Sequence, residues 1–574
     1  MDRRAADRLL LAAVRRGGAW GGALAAASLL LAGVYVALPA VMGRGLDAVL
    51  GHGDAALWLT LTAVAVVLLV ACDAADDYAG AVAGSRSTAW LRHRLLGHLL
   101  DRGPRATRER TPGDLVARLV GNTARAGSAP AGLVWGVTEL VPPLGALVAL
   151  ALIDPWLCVT FLAGLPLVVL VVRAFVRDVA DLNDRYFATQ GRIAARLVDA
   201  LTGIRTIIAA GTADREAERV RAPLPELHRN GLGMWRAYAR VSARDAAIVP
   251  LLQVAVLAVA GLELSRGRIT PGQTLAASEY VLLATGVSSL VASVSRLALA
   301  RAAAGRVAEV LAEPAVGHGD ARLPASGGGR LEFRRVTVRR TEGGAALDGV
   351  DLTLPAGALV AVVGRSGSGK STLAALAGRL ADPDEGEVRL DGVPLRDLGR
   401  AELRRSVAYG FERPVLLGDT FAEAIGFGCR TPTPAQVSAQ AVAARADAFI
   451  RTMPEGYRTR IEAAPLSGGE SQRVGLARTF AQAAADGRLL VLDDATASLD
   501  TVTEHRIGQV LTGGGALADR TRLVVTHRVS TAARADLVVW LHAGRLRGRG
   551  THRELWTDPE YRAVFRADDH GGGR

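Results

Sequence analysis

Six long runs without a charged residue lie in the first half of the chain, and they constrain its fold more than any other feature. The runs cover 17–43, 55–72, 140–153, 155–172, 246–262 and 280–295. A helix needs about 20 mostly apolar residues to cross a bilayer, and the third and sixth runs reach that length when Glu139 and Glu279 are included. We therefore predict a multi-pass α-helical membrane domain with six transmembrane helices, near 17–43, 55–79, 130–153, 155–175, 246–265 and 273–296.

The distribution of arginine predicts how these helices are oriented. The segments 1–16, 73–125 and 173–245 carry 5, 9 and 13 arginines, whereas the three alternating segments carry 1, 0 and 2. Cytoplasmic loops of membrane proteins are enriched in Lys and Arg. The sequence thus predicts a protein of the cell membrane with both termini and the two long loops in the cytoplasm. In these two loops apolar residues recur at helical spacing. Turn signals at 103–104 and 211–213 predict that the helices end in short turns at their cytoplasmic tips.

The second half of the chain contains the only lysine among 68 Lys and Arg residues, Lys370. It stands in the segment Gly364-Arg365-Ser366-Gly367-Ser368-Gly369-Lys370-Ser371-Thr372. This segment fits the phosphate-loop pattern, in which backbone amides and the lysine hold the phosphates of a nucleoside triphosphate. A compact ammonium fits beside the β- and γ-phosphates where a planar guanidinium does not. This explains why position 370 has lysine when every other residue of the Lys and Arg count is arginine. The apolar strand before the loop and a helix beginning near Lys370 complete the required context.

Two further motifs follow the phosphate loop. An apolar strand, 489–492, ends in Asp493 and Asp494, and Asp493 can hold Mg²⁺ beside Ser371. Between the two strands lies Leu466-Ser467-Gly468-Gly469-Glu470-Ser471-Gln472-Arg473. With these motifs the chain resembles an ABC transporter, whose signature is L-S-G-G-[QE]-x-Q-R. The resemblance covers nearly the whole chain and implies the half-transporter layout of the exporter class, six transmembrane helices followed by an α/β P-loop ABC ATPase domain.

The resemblance implies a role for each of these motifs. ATP and Mg²⁺ would be the cofactors, and two ATPase domains would close on two ATP molecules. The signature residues of one subunit would bind the γ-phosphate of the ATP held by the other, through the helix N-terminus at Ser467, Gly468, Gly469 and Glu470. His527 would contact the γ-phosphate, and Asp500 would belong to the loop that joins the two sites. The two cytoplasmic tips would rest on ATPase domains.

Three positions depart from the family pattern. Asp494 stands where the family has the glutamate that polarises the attacking water, and a displacement of about 1 Å can cost on the order of a hundredfold in rate. Glu412 replaces the glutamine that contacts Mg²⁺, and it can still ligate the metal together with Ser371 and Asp493. Arg340 lies near the usual position of an aromatic residue that stacks on adenine, and a guanidinium plane can also stack on a base. We therefore expect slow hydrolysis at the chain's own site.

Two interpretations of these departures remain open. One is neutral drift in a working homodimeric ATPase. The other, which we favour, is a heterodimer with a second half-transporter that keeps the glutamate. This chain's signature would then complete the fast site of that partner. An alternative function is a nucleotide-binding regulatory or gating subunit with little hydrolysis of its own. The net charge of +12 could indicate nucleic-acid binding, but the six predicted spans argue against a nucleic-acid partner.

The transported substrate is expected to be a small molecule, a lipid or a peptide. Acidic residues lie in or beside the predicted spans at Asp73, Asp76, Asp77, Glu139 and Glu279. The three aspartates share one helix face, and acids inside a membrane usually face a cavity, so a hydrophobic or cationic small molecule is a candidate. The alternative is that the aspartates lie just below the bilayer and pair with arginines such as Arg86.

Composition places the predicted domain boundaries. The apolar excess ends before a glycine-rich stretch, so we expect a transmembrane domain over 1–312, a linker over 313–330 and a nucleotide-binding domain over 331–570. The three cysteines, Cys72, Cys158 and Cys429, lie far apart without metal-ligand spacing. They are expected to be isolated thiols.

Overall fold

The chain forms two compact units. The computed structural model describes residues 3–52, 54–340, 343–513 and 517–566. The first unit comprises Met1–Leu100 and Arg110–Pro314, and the second comprises Asp101–Glu109 and Ala315–Arg574. The first predicted cytoplasmic tip, at 103–104, therefore belongs to the second unit, where Arg105 Nη2 donates to Asp382 Oδ2 at 3.3 Å.

The first unit is helical throughout its described elements. In chain order, the first α-helices of the protein are α1 (Arg3–Arg16), α2 (Ala19–Asp47), α3 (Ala55–Arg102), α4 (Arg105–Glu109), α5 (Pro112–Ala117), α6 (Thr123–Gly127), α7 (Ala129–Thr138), α8 (Val141–Ile153), α9 (Pro155–Thr202), α10 (Ile204–Ala209), α11 (Ala213–Arg221), α12 (Leu224–Ser265), α13 (Pro271–Ala284) and α14 (Val287–Ala312). Two π-helical segments, Ala48–His52 and Arg118–Asn122, follow α2 and α5. Helix α4 lies in the second unit.

Short polar turns separate the apolar helices. Asp154 alone joins α8 to α9, and its carboxylate caps α9 by accepting the backbone N–H of Trp156 at 2.8 Å. Pro155 occupies the first turn of α9, where no backbone donor is needed. Thr270 and Gln273 form a capping box at the start of α13. These caps satisfy backbone groups that a bilayer would leave without a partner.

Several of these helices are suited to a membrane. Among the described residues, four helical stretches are long and apolar enough to cross a bilayer: Ala19–Gly51, Ala55–Arg102, Pro112–Ile153 and Ala247–Ser265. A shorter apolar helix, Pro155–Pro166, follows the third of them. By length and composition alone, they overlap the first, second, third and fifth predicted spans and the start of the fourth. Some side chains of the fourth and sixth spans lie outside the described residues, so six crossings remain a prediction. Large apolar side chains such as Val67 and Leu152 are 69% and 81% exposed, as expected for lipid-facing positions.

The second unit contains two sheets. Its strands are β1 (Leu331–Arg339), β2 (Ala345–Leu354), β3 (Leu359–Val363), β4 (Glu385–Leu390), β5 (Val393–Pro394), β6 (Val407–Gly410), β7 (Leu489–Asp493), β8 (Thr521–Val525), β9 (Leu537–His542) and β10 (Arg545–Gly550). An antiparallel sheet has the order β2-β1-β4-β5, and the larger sheet has the order β10-β9-β3-β8-β7-β6. Every neighbouring pair in the larger sheet is parallel except β9 and β10. The predicted α/β fold of this half is confirmed.

Helices cover both faces of the larger sheet. They are α15 (Lys370–Ala377), α16 (Arg400–Ser406), α17 (Phe421–Gly426), α18 (Pro434–Ala443), α19 (Asp447–Thr452), α20 (Gly468–Ala485), α21 (Thr501–Thr512), α22 (Val529–Arg534), α23 (His552–Leu555) and α24 (Pro559–Ala563), with 3₁₀ turns at Leu395–Asp397, Gly456–Arg458 and Ile461–Ala463. Along β3, Ala361 and Val363 pack into one core, whereas Val360 and Val362 pack into the other. Burial on both faces explains why this strand reads as an uninterrupted apolar run.

Candidate functional site

The candidate site lies where four parallel strands end. Strands β3, β8, β7 and β6 are adjacent and parallel, so the segments that follow them meet at one edge of the sheet. The phosphate loop follows β3, Asp494 follows β7, His527 lies just after β8 and Glu412 just after β6. Crevices at the carboxyl ends of parallel strands are the usual ligand sites of such sheets.

The phosphate loop is closed around its lysine. Helix α15 begins at Lys370, as predicted. The Lys370 side chain is buried, and Nζ donates to the carbonyl oxygens of Gly364 at 2.8 Å and Arg365 at 3.0 Å. Burial lowers the pKa of the Lys370 ammonium, and the nearby carboxylates of Asp494 and Asp493 partly oppose this shift. The ammonium is therefore held inside the loop by carbonyls that phosphate oxygens can replace.

Glycine is required at the end of this loop. Gly369 has φ 102°, and a Cβ there would lie 2.5 Å from the carbonyl oxygen of Ala346. Gly367, with φ 76°, adopts the same left-handed region. A residue with a side chain would be strained at either position. Left-handed glycines of this kind allow successive backbone N–H groups to form an anion-binding nest.

The loop opens into a cavity of about 620 Å³. The predicted site residues that line it are Arg340, Ser366, Gly367, Gly369, Lys370, Ser371, Thr372, Glu412, Asp494 and His527. Sequence reasoning missed five other lining residues, Ala346, Thr496, Ala497, Thr526 and Arg528. Gly364, Arg365 and Ser368 belong to the loop without lining the cavity. Arg340 Nη2 donates to the carbonyl oxygen of Gly367 at 2.8 Å, so its guanidinium is tied to the phosphate loop.

An oxygen-rich corner lies beside α15. Ser371 Oγ donates to Asp493 Oδ1 at 3.0 Å, and the Tyr409 hydroxyl donates to Asp493 Oδ2 at 3.3 Å. Burial raises the pKa of the Asp493 carboxyl, and the charges of Asp494 and Glu412 add to the rise, while the two hydrogen bonds oppose it. Sequence reasoning missed Tyr409, whose position depends on the pairing of β6 with β7.

The donor set of this corner fits Mg²⁺. Hydroxyl and carboxylate oxygens are the ligands that this ion prefers. Among the described residues, no three acidic, histidine or cysteine side chains are close enough to hold a metal by themselves. Mg²⁺ commonly retains water and takes phosphate oxygens from a substrate, so two or three protein oxygens are sufficient. Ser371 and Asp493 are the pair that would hold it, with Glu412 on the cavity wall.

Asp494 and His527 lie side by side on the cavity wall. His527 Nε2 lies 3.5 Å from Asp494 Oδ2. Asp494 has φ 48°, in the left-handed region that a residue with a side chain rarely adopts. Such backbone strain persists only where surrounding contacts impose it, and it often occurs at functional positions.

A buried glutamine holds the backbone around this pair. Gln472 is only 1% exposed, and its Nε2 donates to the carbonyl oxygens of Glu412 at 3.1 Å and Asp494 at 3.5 Å. Its Oε1 accepts the backbone N–H of Ser498 at 2.9 Å. One side chain therefore fixes three segments of the site. Sequence reasoning placed Gln472 in the signature but did not identify this role.

The signature begins a helix, as predicted. Ser467 caps α20, and its side chain forms a capping box with Glu470. The Ser467 backbone N–H donates to Glu470 Oε2 at 2.9 Å, and these hydrogen bonds lower the pKa of the Glu470 carboxyl. Ser467 and Gly468 are exposed, and no signature residue lines the cavity. Asp500 caps α21 by accepting the N–H groups of Val502 and Thr503.

Comparison with known proteins agrees with this architecture. Residues 22–286 match the family model of the ABC transporter transmembrane region, and residues 347–497 match a second family model, described as ABC transporter. The chain is 47% identical over 532 residues to the ABC transporter ATP-binding protein RamA of Streptomyces coelicolor, covering 93% of this chain and 83% of that protein. It is 33% identical over 516 residues to the ATP-dependent lipid A-core flippase of Alkalilimnicola ehrlichii, covering 87% and 85%.

A solved structure extends the similarity to the whole fold. A bacterial Atm1-family ABC exporter with ATP bound superposes with a TM-score of 0.79 at 25% identity, covering 94% of this chain and 97% of that one. Both units, the motifs of the cavity and the relatives lead to the same assignment. The chain belongs to the ABC transporter family as an exporter-type half-transporter, in which a transmembrane domain is fused to an ATPase domain that binds and hydrolyses ATP to drive transport.

Proposed function

We propose that this chain exports a small molecule, a lipid or a peptide across the cell membrane as one half of a heterodimer. In this proposal its own ATP site hydrolyses slowly. The observation that carries the proposal is Asp494, which lines the cavity beside His527. A family member with a fast site has a glutamate at this position, and the aspartate side chain is one methylene shorter.

The short side chain accounts for slow hydrolysis. A carboxylate positions the attacking water only when its oxygen is within hydrogen-bond reach. Withdrawing it by about 1 Å can reduce the rate on the order of a hundredfold. ATP binding itself does not depend on Asp494, because the phosphates are held by Lys370 and the loop amides. The site would therefore retain ATP longer than a site with glutamate.

The signature supports a second subunit. Ser467 and Gly468 lie exposed at the N-terminus of α20, away from the chain's own cavity. Helix N-termini bind phosphate through free N–H groups and the helix dipole. We infer that this end of α20 completes the ATP site of the partner half-transporter, whose glutamate would make that site the fast one.

Mg²⁺ would accompany ATP in the chain's own site. We assign Ser371 and Asp493 as its protein ligands and Glu412 as an additional carboxylate. When bound, the ion neutralises phosphate charge. Ser371 and Asp493 already lie in hydrogen-bond contact, so the hydroxyl and the carboxylate converge on one point.

The membrane arrangement rests on sequence and relatives. We propose six crossings in residues 1–312, a linker over 313–330 and a cytoplasmic ATPase domain over 331–570, with both termini in the cytoplasm. The arginine distribution supports this orientation. A relative named as a lipid A-core flippase acts on a lipid, which supports an amphiphilic substrate and contact with membrane lipid for this chain.

ATPase measurements in nanodiscs test the heterodimer. The rate is measured for this chain alone, for a half-transporter encoded beside it, and for the two combined. We expect substantial activity only in the mixture, and we expect that activity to survive Asp494→Asn but to be lost when the partner's glutamate is replaced. Robust hydrolysis by this chain alone that Asp494→Asn abolishes would refute the proposal and establish a homodimer.

A regulatory subunit is the second candidate, because slow hydrolysis at Asp494 would also suit a site that senses ATP. Transport by the assembled pair distinguishes the two functions. An exporter requires ATP turnover for each substrate moved, so substrate efflux should stop when the partner's glutamate is replaced. A gating subunit would continue to pass substrate down its gradient when ATP is bound and not hydrolysed.

A further inference from the structure

Two cavities in the first unit meet around the same three side chains. One has a volume of about 720 Å³ and the other about 230 Å³. Both are lined by Asp77 of α3, Trp135 of α7 and Arg296 of α14. Five helices contribute to the smaller cavity, since Tyr35 of α2 and Pro142 of α8 line it as well. The larger volume is in the range of small-molecule sites, and the smaller cavity extends it.

Two of the three carboxylates at the smaller cavity are already paired. Asp76 is 8% exposed; its Oδ1 accepts the Ser28 hydroxyl, and its Oδ2 accepts Trp135 Nε1–H at 2.7 Å. Glu139 Oε2 accepts the Ser293 hydroxyl at 2.5 Å, and Arg296 Nη2 lies 3.4 Å from Glu139 Oε1. These groups fix the wall of the cavity and do not need a ligand.

Asp77 is the carboxylate without such partners. Among the described residues, none forms an ion pair or hydrogen bond with it, and the predicted alternative of pairing with Arg86 is not observed. Three carboxylates and one guanidinium line the smaller cavity. The single guanidinium, Arg296, already lies beside Glu139. The Asp77 side chain is exposed and lines both cavities, so its negative charge is available to a cationic partner there.

The Trp135 ring, which lines both cavities, packs beside a positively charged group. The Arg296 guanidinium carbon lies 5.4 Å from the centre of the Trp135 ring, a cation–π contact. Trp135 can lie against α3 because residue 80 is glycine; a Cβ there would come within 3.1 Å of the Trp135 ring. The neighbouring Nε1–H on the same edge of the indole donates to Asp76. These two contacts hold the Trp135 ring against α3.

The larger cavity adds an apolar wall. Its α3 side consists mainly of small residues, Gly80, Ala81, Gly84, Ser85, Thr88 and Ala89. Arg92 also lines it, but that residue is about 22 Å from Asp77 along the helix at 1.5 Å per residue. The charge of Arg92 is therefore remote from the acidic end, and the space between the two is suited to an apolar body.

We propose that these cavities form a binding site for a lipophilic cation, with its positive group at Asp77 and its apolar body along the small-residue wall of α3. The site deepens the proposed export function and rests on it for its biological role. Asp76 acts as a positioning residue through Trp135. Glu139 and Arg296 are the other charged side chains, besides Asp76, that line the smaller cavity.

Equilibrium dialysis of the purified full chain in a non-ionic detergent tests the site without ATP. The probes are tetraphenylphosphonium and tetraphenylborate, which have nearly the same shape and opposite charge. We expect the wild-type chain to bind the cation more tightly than the anion. Asp77→Asn should weaken cation binding by about tenfold or more, because a charge-assisted contact is lost, and should leave the anion unaffected or bound more tightly.

Asp73→Asn is the matched control. Asp73 is exposed on the same helix one turn earlier and lines neither cavity, so this variant should bind both probes like the wild type. Arg296→Gln gives an independent test that does not alter Asp77, and it should tighten cation binding severalfold by removing the competing positive charge. Equal wild-type affinity for the two ions, or equal effects of Asp77→Asn and Asp73→Asn, would overturn the proposal.

The binding result is separable from the export proposal. Lys370→Ala should abolish ATP-dependent transport and leave cation binding unchanged, since Lys370 lies in the ATPase unit. Binding that responds to Asp77, in a protein that shows no ATP-driven export with any partner, would support the site and reject the function. The opposite pattern, export without a charge preference at Asp77, would reject the site alone.

Discussion

His527 Nε2 lies 3.5 Å from Asp494 Oδ2, and both side chains line the cavity beside Lys370. One more methylene at position 494 would extend the carboxylate by about 1 Å toward the cavity, a distance that can change a rate on the order of a hundredfold. We expect Asp494→Glu to raise ATP hydrolysis at this chain's site by roughly tenfold or more. The measurement is phosphate release from the assembled transporter in nanodiscs, with the partner's glutamate replaced so that only this site turns over.

Asp494→Asn serves as the control for this experiment. It keeps the size of the side chain and removes the base, so residual hydrolysis at the site should fall to background. An Asp494→Glu variant that hydrolyses ATP no faster than the wild type would mean that the aspartate is not what limits the rate.

Lys370→Arg should weaken ATP binding although the charge is kept. Lys370 is 6% exposed, and its Nζ is enclosed by the carbonyls of Gly364 and Arg365. The larger, planar guanidinium does not fit this loop. We expect the affinity for a fluorescent ATP analogue with Mg²⁺ to fall by about tenfold or more. Arg365→Lys is the matched exchange at an exposed position of the same loop, and a comparable loss there would contradict the steric argument.

Gln472→Ala should destabilise the ATPase unit. The variant leaves the carbonyls of Glu412 and Asp494 and the N–H of Ser498 without their side-chain partner in a buried setting. Loss of a buried hydrogen-bonding group costs about 1–3 kcal/mol. We expect a lower thermal midpoint and a higher Mg-ATP dissociation constant, measured by intrinsic fluorescence and nucleotide titration.

The control is Gln509→Ala, which removes an exposed glutamine on α21. That change should leave both the thermal midpoint and the Mg-ATP dissociation constant close to the wild-type values. If Gln472→Ala behaved in the same way, Gln472 would not be the link between the three segments of the site.

The local parts of the site could be predicted from sequence. The strand before the phosphate loop, the helix start at Lys370 and the capped helix at Ser467 all follow from short-range patterns, and each lies where the sequence placed it. In such segments the residue types dictate the backbone: glycine allows the left-handed turn at 369, and serine caps the helix at 467.

The long-range contacts could not be predicted in this way. Tyr409 reaches Asp493 only because β6 pairs with β7, and Gln472 reaches Glu412 across 60 residues of sequence. Helical spacing placed Asp76 and Asp77 on one face, but only the packing of α2 and α7 against α3 distinguishes the buried, paired Asp76 from the unpaired Asp77. Tertiary packing, which leaves no short-range pattern in the chain, decides these roles.

Glu470→Gln should reduce the acid sensitivity of the ATPase unit. Hydrogen bonds from the Ser467 backbone and hydroxyl lower the pKa of the Glu470 carboxyl below its ordinary value of 4.5. A carboxyl whose pKa is lower in the folded state contributes stability above the unfolded-state pKa, and this contribution is lost as the pH falls through the folded-state value. Glutamine keeps the capping box without the titration. Thermal midpoints of both proteins between pH 7 and pH 3.5 measure the effect.

We expect the wild type to be more stable than Glu470→Gln at pH 7, by up to about 1 kcal/mol, because a negative charge is favoured at a helix N-terminus. The difference should shrink below about pH 4.5, where the carboxyl becomes protonated in the unfolded state and then in the folded state. Glu462→Gln, at a side chain that is 89% exposed, should not change the pH dependence. A constant difference between wild type and Glu470→Gln at every pH would show that Glu470 acts through its shape, and the charge of the signature helix would then have no part in stabilising its start.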